Sequence, residues 1–285
     1  KFGIDYFHKE NAFNDYDIQV LLPHKLSEYG PFISIADVNG DNKDDVFIGS
    51  PQDQASVLYI QNENNNFTLS NQDLFDQHKH YEDGQSAFFD VDGDNDLDLV
   101  VSSTGYEYPE NSPLYQPRLY INDGKGSFAF KANGIPTHNH SSSCIQVADF
   151  DKDGDNDFFL GGRLLPERYP LSGISALFVN DGNGNFENVI EQIAPELEKS
   201  GMIRDAIWSD IDNDSNLDLM VVGEWTPISI WIQEDGNFVN KSDDFFDEPV
   251  NGWWNKIEKH DLDKNGLDDY IIGNLGLNYK YKASN

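Results

Sequence analysis

Short apolar runs alternate with polar turns along this chain, and the alternation recurs with a long, nearly constant period. In each repeat, two apolar runs flank an aspartate-rich segment. Runs of this length, rich in β-branched and aromatic residues and bounded by Gly, Asn and Asp, predict β-strands. The first runs are Phe32–Ala36, Ala87–Phe89, Ile145–Ala148, Ala206–Trp208 and Lys256–Glu258, and the second are Val46–Gly49, Leu99–Ser102, Phe158–Gly161, Leu219–Gly223 and Tyr270–Gly273.

Four of the five repeats continue with a third run and a hairpin. The third runs are Val57–Gln61, Arg118–Asn122, Ala176–Asn180 and Ser229–Gln233. A turn rich in Asn, Asp and Gly then leads to a short strand that opens at Phe67, Phe128, Phe186 or Phe238. Turns of this composition between strands are strong hairpin signals. The repeat is therefore predicted to be a unit of four antiparallel strands.

An isolated four-stranded sheet buries little apolar surface, so equal sheets are expected to pack radially as blades of a β-propeller. A β-sandwich and a calcium-binding β-roll are the alternatives, and the roll repeats far more often than this chain does. We predict an all-β fold with a lead-in segment at 1–30 and a propeller at 31–285. Its four-stranded antiparallel blades begin near residues 31, 85, 143, 204 and 254, and the last is incomplete.

A nine-residue loop lies between the first two runs of each unit, with oxygen side chains at positions 1, 3, 5 and 9. Ca²⁺ takes about six to eight oxygen ligands, and Mg²⁺ prefers fewer carboxylates and more water. The loops contain no Cys or His, which disfavours zinc. An apolar position 12 excludes an EF-hand. Clusters of Asp, Asn and Gly also form simple turns, but five clusters in register favour a metal.

We predict about five structural calcium ions, one in each loop. Position 6 must turn sharply and favours residues that tolerate positive φ, whereas position 7 offers a backbone carbonyl. The predicted ligands are Asp37, Asn39, Asp41, Lys43 and Asp45; Asp90, Asp92, Asp94, Asp96 and Asp98; Asp149, Asp151, Asp153, Asp155 and Asp157; Asp210, Asp212, Asp214, Asn216 and Asp218; and Asp261, Asp263, Asn265, Leu267 and Asp269.

The charge and composition of the chain restrict the classes of partner and the location that are expected. The chain of 285 residues has 51 acidic and 19 basic residues and a formal net charge of −32, which five Ca²⁺ ions would reduce to about −22. Such acidity disfavours nucleic acid and anionic membranes as partners. Cys144, the single cysteine, is expected to be buried in a strand. No run has the length of a transmembrane helix. Because millimolar calcium occurs outside cells, we expect an extracellular or bacterial outer-membrane location.

Strand direction sorts the connections onto two faces. The calcium loops and hairpins share one face, here called the loop face, while the second turns and crossovers share the other, the insertion face. Long insertions on the insertion face carry aromatic and charged residues that suit a glycan or protein contact surface. The candidates are Tyr106, Tyr108, Arg163, Arg168, Trp225, Trp253 and Trp254. The alternative is that the tryptophans and tyrosines seal gaps between blades, which we favour for Trp253 and Trp254.

Catalytic signals are weak. His78 and His80, like His138 and His140, could bind Zn²⁺ from a strand, but without an apparent third ligand we expect solvated loop histidines. No nucleophile elbow, phosphate loop or Cys–His pattern occurs. We therefore predict no enzyme, although paired carboxylates for glycoside chemistry stay open.

Each loop is followed by an apolar strand and a hairpin like Leu-Tyr-x-Asn-Asp-Gly-x-Gly-x-Phe. This pattern resembles FG-GAP/VCBS repeats over about residues 30–275. Integrin α propellers belong to this group. Segments 21–31, 252–255 and 273–278 resemble bacterial surface proteins that join such repeats to an ASPIC/UnbV domain, as cartilage acidic protein does. The resemblance implies calcium ions that rigidify the blades, a ligand surface on the opposite face, and seven or so blades. The chain, which lacks an initiator Met and a signal peptide, is then expected to be partial or processed.

These observations together predict a non-enzymatic, calcium-stabilised binding or adhesion module of a bacterial cell surface. Its insertion face would meet a protein or glycan partner, and it would serve as a subunit of an outer-membrane uptake or secretion assembly. The alternative is a polysaccharide lyase or hydrolase built on a calcium-binding propeller.

Overall fold

The computed structural model describes residues 2–276. Unit 1 contains strands β1 (Ile33–Ala36), β2 (Asp45–Ile48), β3 (Val57–Gln61) and β4 (Phe67–Ser70). Unit 2 contains β5 (Asp83–Phe89), β6 (Asp98–Ser103), β7 (Arg118–Asn122) and β8 (Phe128–Phe130). Unit 3 contains β9 (Ser142–Ala148), β10 (Asp157–Gly162), β11 (Ala176–Asn180) and β12 (Phe186–Asn188).

Unit 4 contains β13 (Met202–Ser209), β14 (Asp218–Pro227), β15 (Ser229–Glu234) and β16 (Asn237–Asn240). Unit 5 is described as far as β17 (Asn251–His260) and β18 (Asp269–Asn274). Three short helices lie between units or beside them: α1 (Gln72–Asp76), α2 (Ile190–Ile193) and α3 (Ser242–Phe245). None of the helices in residues 2–276 has the length and apolar character needed to cross a membrane.

Each of units 1 to 4 is a sheet whose strands pair antiparallel in chain order, which confirms the predicted four-stranded unit. The end of the long strand β14 also pairs with β17, so the sheets of units 4 and 5 are joined. Strands β3, β7 and β11 have the predicted bounds, whereas β5, β13 and β17 begin earlier than predicted. Their first residues include polar side chains such as Asp83 and Arg204, which the alternation of apolar residues does not mark as strand.

The apolar core lies between neighbouring units. Phe47 and Leu58 of unit 1 pack with Leu99 and Tyr120 of unit 2, and equivalent clusters join units 2 and 3 and units 3 and 4. The first strands β1, β5, β9, β13 and β17 adjoin one another in succession. This arrangement is consistent with radial blades, but the sheets of residues 2–276 form no closed ring, and the predicted blade total is not confirmed by them.

The same kind of side-chain hydrogen bond fastens units 2, 3 and 4 each to the unit before it. A side-chain amide at or next to the end of the third strand donates to the backbone carbonyl at position 2 of the aspartate-rich loop in the preceding unit. These bonds are Asn122 Nδ2 to Val38 O at 2.7 Å, Asn180 Nδ2 to Val91 O at 2.9 Å and Gln233 Nε2 to Phe150 O at 3.1 Å. The five nine-residue aspartate loops, called the metal loops below after the ions predicted for them, therefore lie on one face with the hairpins, as strand direction predicts.

The lead-in segment, residues 2–30, contacts several units. Its Phe2 carbonyl accepts from Phe67 N at 2.7 Å in unit 1, and Gln19 bonds with Tyr169 of unit 3. A buried carboxylate, Asp15, accepts hydrogen bonds from Leu26 N and Ser27 N at 2.8 and 2.9 Å and so folds the segment on itself. The segment thereby covers part of the insertion face.

Cys144 is buried in β9, as expected. The connection from β12 to β13 contains α2 and a 3₁₀ turn at Leu197–Lys199, and Pro195 lies between them.

The metal loops and the insertion face

All five loops are closed by the same backbone hydrogen bond. The carboxylate at position 1 accepts from the N–H at position 6 in each case, as in Asp37 Oδ2 from Asn42 N at 2.7 Å. Position 6 has positive φ throughout, including Ser215 at 75°. Position 4 is also left-handed in every loop, with Gly40, Gly93, Lys152, Asn213 and Lys264 there. This second turn was not predicted, although the Gly and Asn residues at position 4 are a visible sequence signal for it.

The position-9 aspartate connects three parts of its unit. Asp157 Oδ2 accepts from Phe150 N in the loop, and Asp157 Oδ1 accepts from Asn180 N at the end of the third strand. The corresponding residues Asp45, Asp98 and Asp218 make the same pair of bonds. Burial raises the pKa of Asp98 to about 6 and that of Asp157 to about 7. These carboxylates are therefore structural whether or not a cation is bound.

Four loops bring three carboxylates close enough to hold a metal ion, with one oxygen of each within 4.8 Å of the others. The groups are Asp90, Asp92 and Asp94; Asp149, Asp151 and Asp157; Asp210, Asp212 and Asp218; and Asp261, Asp263 and Asp269.

Three buried oxygens in these groups, Oδ1 of Asp92, Asp149 and Asp210, accept no hydrogen bond. An unsatisfied buried acceptor costs about 1–3 kcal/mol, and a bound cation would remove this cost. The residues present therefore fit a metal ion.

The first loop differs from the others. Asn39 replaces an aspartate at position 3, and Lys43 Nζ lies 2.9 Å from Asp41 Oδ2. The hydrogen bond from Lys43 lowers the pKa of Asp41. In the described part of the chain, no group of three metal-capable side chains comes from this loop. In the first loop a lysine ammonium thus pairs with a carboxylate that could otherwise bind a cation.

Position 7 has a more specific use than the sequence indicates. Its N–H donates to the position-5 side chain in all five loops. The carboxylates of Asp96 and Asp155 also lie against the hairpin glycines Gly124 and Gly182, leaving no room for a Cβ there. Metal ligation by the position-7 carbonyls, including that of Leu267, stays a prediction.

The candidate ligand residues on the insertion face differ strongly in exposure. Tyr106, Arg163 and Trp253 are buried, at 0%, 1% and 8% exposure. Tyr108 and Trp254 are half-buried, whereas Trp225 and Arg168 are exposed. The buried members cannot contact an external ligand directly, because other side chains cover them. This corrects the expectation that all seven form the surface, and the burial of Trp253 agrees with a role in sealing the gap between units.

A buried charge cluster lies beneath this face. Arg204 Nη1 is 3.2 Å and Arg163 Nη2 is 3.7 Å from Glu224 Oε1, and His24 Nε2 is 3.6 Å from Glu224 Oε2. Burial opposes ionisation of Glu224, but His24 and the two guanidiniums outweigh it and lower the pKa to about 2. The Tyr29 ring contacts both guanidinium carbons, at 4.0 and 4.3 Å. Tyr29 and His24 thus attach the lead-in segment to units 3 and 4, a role without a sequence signal.

A second buried cluster joins units 1 and 2. Arg118 Nη2 donates to Asp83 Oδ1 at 2.5 Å, and Ser50 N donates to Asp83 Oδ2 at 2.9 Å. Nearby, burial raises the pKa of Glu82 well above its usual range, and the neighbouring Glu107 adds to the effect. Glu82 is 2% exposed, whereas Glu107 is half-buried.

The two histidine pairs differ in their surroundings. Burial lowers the pKa of His138 to about 3, and its ring lies 5.0 Å from that of His140. The expectation of a solvated loop histidine is therefore wrong for His138, which is 4% exposed because it packs on Phe178. His80 is exposed and pairs with Asp53 at 2.8 Å. No group of three metal-capable side chains among residues 2–276 contains a histidine.

Residues 37–101 and 103–160 match the family model described as FG-GAP-like repeat. The matched segments contain the first three metal loops and most of units 1 and 2. The match supports assignment of these repeats to the FG-GAP/VCBS family. A comparison with characterised proteins finds no significant match.

Proposed function

We propose that this chain is a calcium-stabilised, propeller-type binding module that holds its blades with ions on the loop face and binds a partner on the insertion face. The observation that carries this proposal is the division between the two faces. Carboxylate loops of one design repeat on the loop face, while the insertion face carries irregular segments with exposed aromatic and aliphatic side chains.

Calcium is the cation we propose, because the groups offer only oxygen and each of the five loops has three or four carboxylates at positions 1, 3, 5 and 9. Three buried carboxylate oxygens without hydrogen-bond partners support a bound ion. We propose one ion in each of the five loops, with the first loop binding most weakly because Lys43 competes for Asp41.

We further propose an extracellular setting on a bacterial outer membrane, as part of a propeller of seven or so blades and of the ASPIC/UnbV-associated type. Millimolar calcium outside cells supports this setting. Of the segments that resemble this type, Leu277 and Asn278 lie outside the described residues. A role as a subunit of an outer-membrane assembly would give the insertion face a protein partner.

A non-enzymatic role is the proposal we favour. Glycoside chemistry needs two carboxyl groups that reach a substrate. The pair Glu82 and Glu107 has the raised pKa values of a catalytic pair, but Glu82 is almost fully buried. A lyase or hydrolase is therefore the alternative outcome of the test below.

The calcium-loaded chain should be applied to an array of bacterial and plant polysaccharides and to immobilised outer-membrane proteins. Saturable binding to either probe, without release of reducing ends or unsaturated sugars, is expected. Sugar release from a bound polysaccharide would establish the enzyme alternative. Absence of binding to both probe sets, in calcium, would refute a binding module.

A further inference from the structure

Exposed apolar side chains gather at one place on the insertion face. Leu21 is 91% exposed, Val20 76%, Leu171 52% and Trp225 47%. Two adjoining cavities of about 380 and 400 Å³ open here, and both are lined by Leu21, Tyr169 and Pro170. Pro23 and Trp225 complete the first cavity. We call this cavity, lined by Leu21, Pro23, Tyr169, Pro170 and Trp225, the Trp225 cleft.

The backbone places the Trp225 indole outward at a cost. The residues of β14 from Asp218 to Glu224 are all buried, and the strand register shifts between Glu224 and Thr226. At this bulge Trp225 has a φ of 59°, a left-handed conformation that is rare for a bulky side chain. Bulges redirect side chains, and backbone strain of this kind is concentrated at functional sites.

The polar groups around the cleft are already used within the protein. Trp225 Nε1 donates to Tyr169 OH at 2.5 Å. Gln19 Oε1 accepts from Tyr169 N at 2.9 Å, and Gln19 Nε2 donates to Tyr169 O at 3.1 Å. A sugar requires polar groups that fix its hydroxyls, whereas the remaining wall of Leu, Pro and indole suits an apolar side chain. The cleft chemistry therefore favours a peptide over a glycan.

The surroundings of the cleft are acidic. Asp17 and Glu167, two residues from Gln19 and Tyr169, are exposed. Two cations near the cleft each face a carboxylate: Arg168 lies 3.7 Å from Glu110, and Lys25, two residues from Pro23, pairs with Glu28. The chain as a whole keeps about −22 with five calcium ions bound. Complementary charge on a partner speeds association and excludes acidic competitors.

We propose that the Trp225 cleft receives an aromatic or aliphatic side chain from a peptide segment of a partner protein, with Lys or Arg flanking that side chain. This inference rests on the proposed binding function and specifies the partner as a protein with a basic, apolar-anchored segment.

Three synthetic peptides test the proposal by calorimetric titration into the calcium-loaded chain. The first has a central Phe-Leu pair flanked by two lysines on each side. The second replaces the lysines with glutamates, and the third replaces Phe-Leu with Ala-Ala. We expect saturable binding of the first peptide with a Kd below about 1 mM. The other two should bind about tenfold or more weakly, because each lacks either the charge or the anchor.

Two variants locate the binding. Leu21→Asp and Trp225→Gly should each weaken the first peptide about tenfold, and glycine adopts the Trp225 backbone conformation without strain. Leu69→Asp, which makes the same substitution at a β4 leucine that is 55% exposed, is the control and should bind as the parent does. Melting temperature in calcium checks that each variant is folded.

Failure of the first peptide to bind, equal binding of the alanine peptide, or binding unchanged in both variants would overturn the inference. A polysaccharide or protein that binds the parent chain and both variants equally would overturn the cleft assignment while leaving the binding module intact. Loss of all binding on the arrays would remove the proposed function itself.

Discussion

Buried charged side chains are stabilised differently on the loop face and on the insertion face of this protein. On the loop face one set of hydrogen bonds, from position 6 to position 1 and from position 2 to position 9, recurs in all five loops. On the insertion face each buried charge has its own arrangement, as in Arg118 with Asp83 and Arg204 with Glu224.

The difference shows what repetition can and cannot specify. A repeated loop can be strengthened at every site by the same cation, which makes the loop face dependent on solvent composition. The insertion face contains its own counterions, so its stability depends on intact side chains rather than on bound ions.

Removal of calcium should have the largest effect. Excess chelator is expected to lower the melting temperature by more than about 15 °C, because each ion at 100 times its Kd adds about 2.7 kcal/mol and several sites contribute. Scanning calorimetry with and without chelator measures the shift. Added Ca²⁺ should restore the melting temperature, and Mg²⁺ should not. Unchanged melting in excess chelator would refute structural ions on the loop face.

The Glu224→Gln variant tests the insertion face. It leaves the buried Arg163 and Arg204 guanidiniums without their counterion, so we expect a loss of about 3–5 kcal/mol in the free energy of unfolding. Denaturant titration should give the same loss at high and low calcium. The control, Glu234→Gln, removes a more exposed pair with Lys241 and should change stability by under about 0.5 kcal/mol. A calcium-dependent loss at Glu224 would contradict the separation of the two faces.

Acidification should weaken the insertion face through His138. Burial, with a smaller contribution from His140, lowers its pKa from 6.5 to about 3. The native imidazole therefore stays neutral while the unfolded chain gains a proton below pH 6.5. The contribution of His138 to the free energy of unfolding is therefore complete above about pH 6.5, and it is lower by about 2 kcal/mol at pH 5.

The measurement is the free energy of unfolding of the parent chain and of His138→Gln between pH 5 and 7.5. The difference between the two proteins should shrink toward pH 5, because only the parent loses this contribution. Parallel curves would show that His138 is not held neutral in the fold.

The smallest effect is expected at Lys43, which bonds the Asp41 carboxylate of the first loop. Lys43→Gln should raise the calcium affinity of this loop two- to fivefold, since an exposed ion pair is worth about 0.2–1 kcal/mol. The affinity of the weakest site in a calcium titration reports the change. Lys125→Gln, which removes an exposed lysine from a hairpin of the same face, controls for total charge. An equal gain in the control would assign the effect to long-range charge.

The parts of the structure that were predictable from the sequence are those that recur. The four-stranded units, the bounds of β3, β7 and β11, and the turn at position 6 follow from the spacing of apolar residues and aspartates. The second task of Asp157, accepting from Asn180 N, depends on which residue of the third strand lies beside it. That register is set by the folded sheet and is not contained in the spacing of the loop.

The insertion face was harder to predict because its contacts are made once and across long separations in sequence. Tyr106 and Arg163 look like surface residues when their own loops are considered. The lead-in segment covers them: Gln19 bonds to Tyr106, and Tyr29 lies on Arg163. Residues 2–30 contain no repeat and little alternation, so nothing in their pattern indicates where they pack.

The hydrogen bonds that side-chain amides make between units also have a mechanical consequence. Asn122, Asn180 and Gln233 each attach a strand of one unit to the loop of the unit before it, at the residue that follows the first loop aspartate. A force that pulls on one unit is therefore carried into the neighbouring loop, where an ion, if bound, would resist its deformation. Calcium would then stiffen the junctions as well as the individual blades, and the array would bear load as one body.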